Sequence, residues 1–257
     1  MHNTLIIQSH RKPLPRAWIS QCVNSVENWA KLNGYGYRFL DDELFEILPE
    51  WVIDKTKRQV VIATDLARLK WLRKYLALGY ERVVWIDADF LIFSPHDFQL
   101  MEGDRFSKQY ALGREVWVQA KSNSTTATNN IKVYTKVHNA FLIFANGNHF
   151  LDFYTAHAER LLKIITGPMP PQFIGPKLLT ALHNIIQCPV QENAGMLSPW
   201  VIKDKLDGGG PALEAFRQKT QYPLSGANLC SSLVDGVELQ DNEMENLVEK
   251  LLMEGVV

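Results

Sequence analysis

The sequence contains 257 residues, of which 46% are hydrophobic, and it carries a formal net charge of -1. A chain of this length and composition can bury one large core without disulfides or a structural metal. The near-zero charge and the lack of a dense Lys and Arg cluster exclude the electrostatics typical of nucleic-acid binding. Three scattered cysteines without zinc-like spacing indicate reduced thiols.

No signal peptide or membrane span is expected from the sequence. The first apolar run, Leu5 to Ile7, is too short for either, and no stretch approaches the roughly 20 apolar residues that a span requires. We therefore expect a cytoplasmic protein, acting in solution or peripherally at the inner face of a membrane.

The beginning of the chain predicts strands that alternate with helices. The predicted order is a strand at 4–8, a helix ending at Gly34, a strand at 37–40, a helix at 60–78 and a strand at 82–86. A short apolar run at 90–93 follows. This alternation predicts an α/β fold with a mostly parallel sheet flanked by helices.

The rest of the chain predicts more helix than strand. A strand is expected within 137–145, and helices are expected at 149–165 and 176–186. The polar stretch 121–130 and the glycine-rich stretch 203–211 predict flexible loops that become ordered over a bound ligand.

The final predicted helix is amphipathic. Its apolar stripe consists of Met244, Leu247, Val248, Leu251 and Leu252. Acidic side chains surround the stripe and would be repelled by anionic lipids. We therefore expect this helix to pack on the protein's own core or on another subunit, and a homodimer is left open.

Two carboxylates mark the end of the strand at 82–86. Asp87 and Asp89 are the polar interruption in the hydrophobic segment VVWIDADFLIF. Open α/β folds bind their ligands at the carboxyl edge of the sheet, where these residues are predicted to lie. Two neighbouring carboxylates can share one hard divalent cation, which in turn accepts diphosphate oxygens. The pattern predicts a metal site, although solvated loop residues would look the same.

Phosphohydrolases of the haloacid dehalogenase type also have two aspartates with this spacing after a hydrophobic strand. In that class the first Asp, here Asp87, is a nucleophile, and the second, here Asp89, lies two residues further on. The motif normally opens its domain and has Thr or Val four residues after the nucleophile. Here the motif follows about two βα units, and Leu91 occupies the fourth position. Both features count against this alternative.

The segment ATDLARLKWLRKYLALGYERVVWIDADFLIF resembles the central block of GT-A-fold glycosyltransferases with a DXD motif. It is most similar to the group that includes yeast initiating mannosyltransferases and clostridial glucosylating toxins. The segments SVENWAKLNGYGYRFLDD, VHNAFLIFANGNHFL and FIGPKLLTAL are similar to further blocks of these enzymes, in the same order. The resemblance implies a GT-A-like fold and transfer of a sugar from a nucleotide diphosphate.

The resemblance also implies which residues bind the donor. Asp65 and Arg68, one helical turn apart, would contact its ribose or sugar. Asn139 would face the donor sugar, and Gly175-Pro176 would begin a helix near the point where donor and acceptor meet. Two further donor contacts are expected by position alone, at Gln8 and Ala88.

The resemblance implies a metal held by Asp87 and Asp89. Many relatives add a His near the C-terminus, whereas the corresponding stretch here, SGANLCSSL, offers Asn228. An amide oxygen is a suitable ligand for Mn²⁺ or Mg²⁺, so Asn228 is the third predicted metal ligand.

The expected protein is a metal-dependent enzyme. The families that it resembles mostly retain the anomeric configuration, so the resemblance implies retention here. The enzyme would move a hexose-type sugar from a UDP- or GDP-linked donor to a glycan, lipid-linked or protein acceptor, in glycan or polysaccharide synthesis. Asp87, Asp89 and Asn139 are its expected catalytic residues. The alternative that is not an enzyme is an inactive transferase fold that binds a glycan or a partner.

One domain is expected to span residues 1–257. Residues 1–120 would form the nucleotide-binding half with the DXD motif, residues 121–240 the half for donor sugar and acceptor, and residues 241–257 the amphipathic helix. Sugars stack on aromatic rings, and Trp200 is a candidate for such a contact with the acceptor.

Overall fold

The structure is a computed structural model and describes residues 3–120, 131–230 and 237–256. The predicted loop at 121–130 lies outside the described residues. In chain order the elements are β1 Thr4–Ser9, α1 Ala17–Leu32, β2 Gly36–Leu40, α2 Glu50–Thr56, α3 Val60–Ala77, β3 Arg82–Ile86, β4 Phe90–Ile92, β5 Tyr110–Ala120, β6 Ile131–Ala145, α4 His149–Ile164, α5 Pro176–Ile186, β7 Val190–Gln191, β8 Ala194–Met196, α6 Pro199–Leu206, α7 Pro211–Lys219, β9 Gly226–Asn228 and α8 Asp241–Glu254. Short 3-10 helices lie at Asp42–Ile47 and Gly103–Phe106.

The central sheet has the strand order β2-β1-β3-β6-β5-β7. β6 runs antiparallel to both of its neighbours, and the other strands all run in one direction. The expectation of an α/β fold with a mostly parallel sheet flanked by helices is confirmed. The register pairs Ile86, the last residue of β3, with Phe141 of β6. Asn139 therefore lies just beyond the carboxyl end of β3, beside Asp87.

Helices cover the central sheet on one face, and α1 with a smaller sheet covers the other. Side chains of α2 to α5 pack on alternate residues of β1, β3 and β6, among them Leu5, Ile7, Val83 and Trp85. On the opposite face Val26 and Trp29 of α1 pack against the intervening strand residues. This alternation of buried side chains on both faces explains why β1 and β3 are nearly continuous apolar runs.

The distal parts of β5 and β6 form a two-stranded ribbon. Residues 113–120 of β5 pair with residues 131–138 of β6, after a shift in register between Leu112 and Gly113. The side chain of His138 is fully buried at the base of the ribbon, where its Nδ1 accepts from the Ala140 N–H and its Nε2 donates to the Ala194 carbonyl. Burial lowers the pKa of His138 to about 4, so the ring is neutral near pH 7. These contacts fix β6 on both sides of Asn139.

The small sheet has the order β4-β9-β8 and holds the segment after Asp89. β4 pairs antiparallel with β9, which places Phe90 opposite Asn228. The Leu229 N–H donates to the Asp89 carbonyl at 2.9 Å, which extends the pairing by one step. A residue far along the chain is thereby fixed beside the second aspartate.

The loop predicted at 203–211 is shorter in the structure. The stretch 203–211 is not one flexible loop, because α6 continues to Leu206 and α7 begins at Pro211. Asp204 explains the tight connection, since its carboxylate accepts from the N–H groups of Ala212 and Leu213 at the start of α7.

The final helix packs on the protein's own core, as predicted. Met244, Leu247, Val248 and Leu251 of α8 are buried against α1 and α6, whereas Leu252 is exposed. The stripe therefore has four core positions rather than five. Within residues 3–120, 131–230 and 237–256, no helix has the length and apolar character needed to cross a membrane.

Candidate active site

A cavity of about 310 Å³ opens at the carboxyl edge of the central sheet. This volume lies at the low end of the range for small-molecule sites, which is about 300–1,000 Å³. Its charged lining residues are Asp65, Arg68, Asp87, Asp89, Glu115 and Lys136. Asn139, Pro176 and Asn228 also line it, so most of the predicted site residues are brought together here.

Asp87 is held by two donors at the end of β3. Its Oδ1 accepts from Trp85 Nε1 at 2.6 Å and lies 3.3 Å from Arg68 Nη1. Burial raises the pKa of the Asp87 carboxyl to about 6 against the opposing effect of Arg68, and the Asp89 carboxylate raises it further. One carboxylate oxygen is therefore fixed by the protein, which orients the other.

Asp65, Arg68 and Asn139 form a buried network behind Asp87. Asn139 Nδ2 donates to Asp65 Oδ1 at 2.8 Å, and Arg68 Nη1 donates to the Asn139 carbonyl at 2.6 Å. Arg68 Nη2 lies 3.5 Å from Asp65 Oδ1, so the predicted pairing on one helical face is confirmed. Both side chains of this ion pair are almost fully buried, at 6% and 2% exposure. Direct contact of Asp65 and Arg68 with a donor stays a prediction.

The helix α5 begins in van der Waals contact with this network. Gly175 precedes it, and a Cβ at that position would lie 2.4 Å from Asp65 Oδ2 and 2.8 Å from Asn139 Nδ2. Pro176 takes the first helical position, where a missing N–H is tolerated. The glycine therefore allows the helix to approach the predicted sugar-binding residues closely.

We expect Gly175→Ala to destabilise the protein by about 1–3 kcal/mol, because the added methyl group must displace Asp65, Asn139 or the start of α5. Chemical denaturation measures the effect. Gly167→Ala is the matched control, since nothing lies within 4 Å of the corresponding Cβ, and its change should stay within about 0.5 kcal/mol. Equal stability of the two variants would contradict the close approach.

Asp89 lies between β4 and the end of β9. Asn228 Nδ2 donates to Asp89 Oδ1 at 2.5 Å, and Asn228 Oδ1 accepts from the Cys230 N–H at 2.8 Å. The predicted proximity of Asn228 to the aspartate pair is confirmed. In this arrangement the amide donates toward Asp89, and its oxygen is directed to the backbone. Ligation of a metal by Asn228 stays a prediction.

The donor set of the cavity fits a hard divalent cation. Four carboxylates against one guanidinium and one ammonium give the lining a formal charge of -2 when every group is ionised. No cluster of three or more His, Cys, Asp and Glu side chains suited to a metal occurs in the described part of the chain. Two carboxylates with substrate phosphates and water are the usual environment of Mg²⁺ in phosphate-transfer sites. The residues therefore suit a cation whose coordination shell is completed by a diphosphate, and they do not suit a site in which the protein supplies every ligand.

Two predicted donor contacts are placed behind the cavity wall. Gln8 is fully buried; its Nε2 donates to the Asp87 carbonyl and its Oε1 accepts from the Tyr37 hydroxyl. Ala88 is 5% exposed and packs in the core formed with α1 and α6. Both residues hold the backbone of the Asp87–Asp89 turn in the structure, and their contact with a donor stays a prediction.

The cavity is lined by further polar and aromatic side chains that sequence reasoning missed. Glu115, Trp117 and Gln119 of β5 line it together with Lys136 of β6. Trp200, the aromatic candidate from the sequence, packs instead against the core around α6. The sequence signal that could have indicated this strand and its cavity face is the alternation of polar or aromatic residues at 115, 117 and 119 with valines at 116 and 118.

A larger cavity, of about 510 Å³, lies at the opposite edge of the sheet between α3 and the start of α4. Two of its three cations form ion pairs, Lys70 with Glu159 and Arg73 with Asp152, and Lys74 lies over the Trp71 ring. The aspartate pair and the buried network lie at the smaller cavity, at the carboxyl edge of the sheet, which is therefore the candidate active site.

Comparison of the sequence with protein-family models gives no match, and comparison with curated proteins gives none. Among solved structures, a glycosyltransferase involved in the glycosylation of the major capsid of PBCV-1 aligns with a TM-score of 0.50 and 9% identity, over 96% of this chain and 98% of that one. A197 from STIV aligns with a TM-score of 0.31 and 12% identity, over 74% of this chain and 80% of that one, and supports no argument. The chain has the fold of a glycosyltransferase structure along nearly its whole length.

Proposed function

We propose that the protein is a glycosyltransferase that moves a hexose-type sugar from a UDP- or GDP-linked donor to an acceptor hydroxyl. The observation that carries the proposal is the pair Asp87 and Asp89 at the carboxyl edge of the sheet, in a cavity whose charged lining is net negative. A negatively charged cavity would repel a diphosphate unless a cation accompanied it. The transfer is therefore proposed to depend on Mn²⁺ or Mg²⁺.

Asp87 and Asp89 would hold the cation, with Asn228 beside them. When bound, the cation would neutralise the charge that develops on the departing diphosphate. The buried network orients the remaining groups: Arg68 fixes Asp87, and Asp65 fixes the Asn139 amide that would face the donor sugar. The families that the sequence resembles mostly retain the anomeric configuration, and we propose retention here.

The acceptor is proposed to be a glycan, a lipid-linked saccharide or a protein, in glycan or polysaccharide synthesis. A donor of cytosolic origin would suit the cytoplasmic location expected from the sequence, with lipid-linked acceptors reached at the inner face of a membrane. The burial of the α8 stripe leaves its acidic face outward, which is unsuited to anionic lipid.

A screen of UDP- and GDP-sugars with Mn²⁺ and Mg²⁺ tests the proposal. We expect metal-dependent release of nucleoside diphosphate with at least one donor, and full loss of release in excess EDTA. Release of inorganic phosphate from phosphomonoesters, with no turnover of nucleotide sugars, would support the phosphohydrolase alternative that uses Asp87 as a nucleophile. Calorimetric binding of a glycan without nucleotide, metal or turnover would support an inactive binding module.

A further inference from the structure

The ribbon presents one face to the cavity and the other to the core. Along β5, Glu115, Trp117 and Gln119 line the cavity, whereas Val116 and Val118 between them are buried. This is the alternation expected of a strand with one solvated face. Across the ribbon Lys136 lies opposite Glu115 and also lines the cavity. The cavity face therefore combines an indole ring with charged and amide groups.

Glu115 lines the cavity with most of its side chain buried. The residue is 9% exposed, and no donor among residues 3–120, 131–230 and 237–256 bonds to its carboxylate. Burial raises the pKa of Glu115 to about 7, against the opposing effect of Lys136. The carboxylate lines the cavity, where hydroxyl groups of a bound ligand could donate to it.

The strand order places this face next to the donor-sugar residues. Asp87 follows β3, Asn139 is on β6 beside it, and Glu115 is on β5, one strand further along the sheet. In a donor whose diphosphate lies at Asp87 and whose sugar lies at Asn139, the anomeric carbon is bonded to the diphosphate and would lie between these two residues. The acceptor hydroxyl must reach this carbon as the diphosphate leaves, and β5 is the next strand from which a bound acceptor could approach it.

We propose that the cavity face of the ribbon is the acceptor subsite and that it binds a neutral hexose-containing saccharide. The Trp117 ring would stack on the apolar face of the sugar, and Glu115 and Gln119 would accept and donate hydrogen bonds with its hydroxyls. This inference rests on the proposed transferase function for its biological meaning, but the binding of saccharide is testable without turnover.

The first test is a titration of the full-length protein by NMR, observed at the tryptophan indole N–H groups. The probes are the methyl glycosides of glucose, galactose, mannose and N-acetylglucosamine, with maltose and cellobiose. We expect at least one probe to shift the indole resonance that disappears in Trp117→Phe. Trp51→Phe is the control, because Trp51 is a partly exposed indole of α2 outside the cavity. A shift confined to other indoles, or none with any probe, would overturn the proposal.

The second test uses the same probes as acceptors with the donor found in the screen. We expect Trp117→Ala and Glu115→Gln to raise the acceptor KM about tenfold or more, while the donor KM and donor hydrolysis stay within about twofold. Glu192→Gln is the matched control, since Glu192 pairs with Arg114 on the other face of β5. Equal losses in donor hydrolysis and in transfer would assign Glu115 and Trp117 to the donor site and overturn the proposal.

A pH profile separates a direct contact from a structural role. Acceptor binding should strengthen as pH rises through about 7, because the carboxylate that accepts hydroxyl hydrogen bonds then replaces the acid. Other charged groups could also contribute to the pH dependence: Lys136 lies opposite Glu115 on β6, and the same cavity is lined by Arg68, Asp65, Asp87 and Asp89. The pH profile of Glu115→Gln is therefore the reference, because it contains the contribution of these groups without that of Glu115. Identical profiles for the variant and the parent would contradict the contact.

Failure of every donor in the screen, with the NMR shifts intact, would reject the proposed function and leave the saccharide subsite standing.

Discussion

Asp89→Ala is expected to lower kcat/KM for sugar transfer by about 100-fold or more, because the cation would lose one of its two carboxylates. The fold should survive, since the backbone pairing is unchanged by this substitution, with the Leu229 N–H still donating to the carbonyl of residue 89. Steady-state kinetics over a range of Mn²⁺ concentrations measure the loss. Mn²⁺ electron paramagnetic resonance with nucleoside diphosphate reports the same site without turnover.

The control for this variant is Asp54→Ala, which removes an exposed carboxylate from α2 far from the cavity. It should leave kcat/KM and Mn²⁺ binding unchanged. Normal transfer by Asp89→Ala with the same Mn²⁺ dependence as the parent would reject the proposed role of the aspartate pair.

Arg68→Met is expected to cost about 3–5 kcal/mol of unfolding free energy, because it leaves Asp65 and Asp87 without their cation in a buried setting. Methionine retains much of the volume that packs against the Trp85 ring, so the loss reports charge more than packing. Guanidinium denaturation monitored by circular dichroism measures it. The loss should shrink at acid pH, where the two carboxylates become protonated and no longer need a cation.

Arg73→Met supplies the matched comparison from the same helix. Its partner is Asp152, and both side chains are about half exposed, at 48% and 61%. Removal of such a surface pair should cost less than about 1 kcal/mol. Similar losses for the two variants would show that the Arg68 network contributes no more than a surface ion pair.

Local patterns in the sequence predicted several elements of the fold with accurate bounds. The strand at 82–86 and the helix at 176–186 are found with the predicted bounds, and the helix at 60–78 ends one residue earlier. Each has a strong signal, either an apolar run or helical spacing closed by a glycine or opened by a proline. The ion pair between Asp65 and Arg68 follows from the same local geometry, since residues three apart share a helical face.

The parts that escaped prediction depend on pairing between distant segments. β5 was not predicted, because Trp117 places a large apolar side chain on its cavity face and so weakens the alternation with Val116 and Val118. The salt bridge between Arg68 and Asp87 likewise requires α3 to lie against β3, which no local pattern specifies. The burial of Gln8 depends on two partners, Tyr37 and Asp87, that come together only in the folded sheet.

The two faces of the ribbon have different freedom to vary over evolutionary time. Val116 and Val118 are fixed by the packing of the core, whereas Glu115, Trp117 and Gln119 point away from it. Substitutions at these three positions should therefore leave the central sheet and the aspartate pair intact. Under the proposed assignment of this face to the acceptor, a lineage of such proteins would acquire new acceptors by exchanging a few side chains on one strand, while its donor chemistry stayed constant.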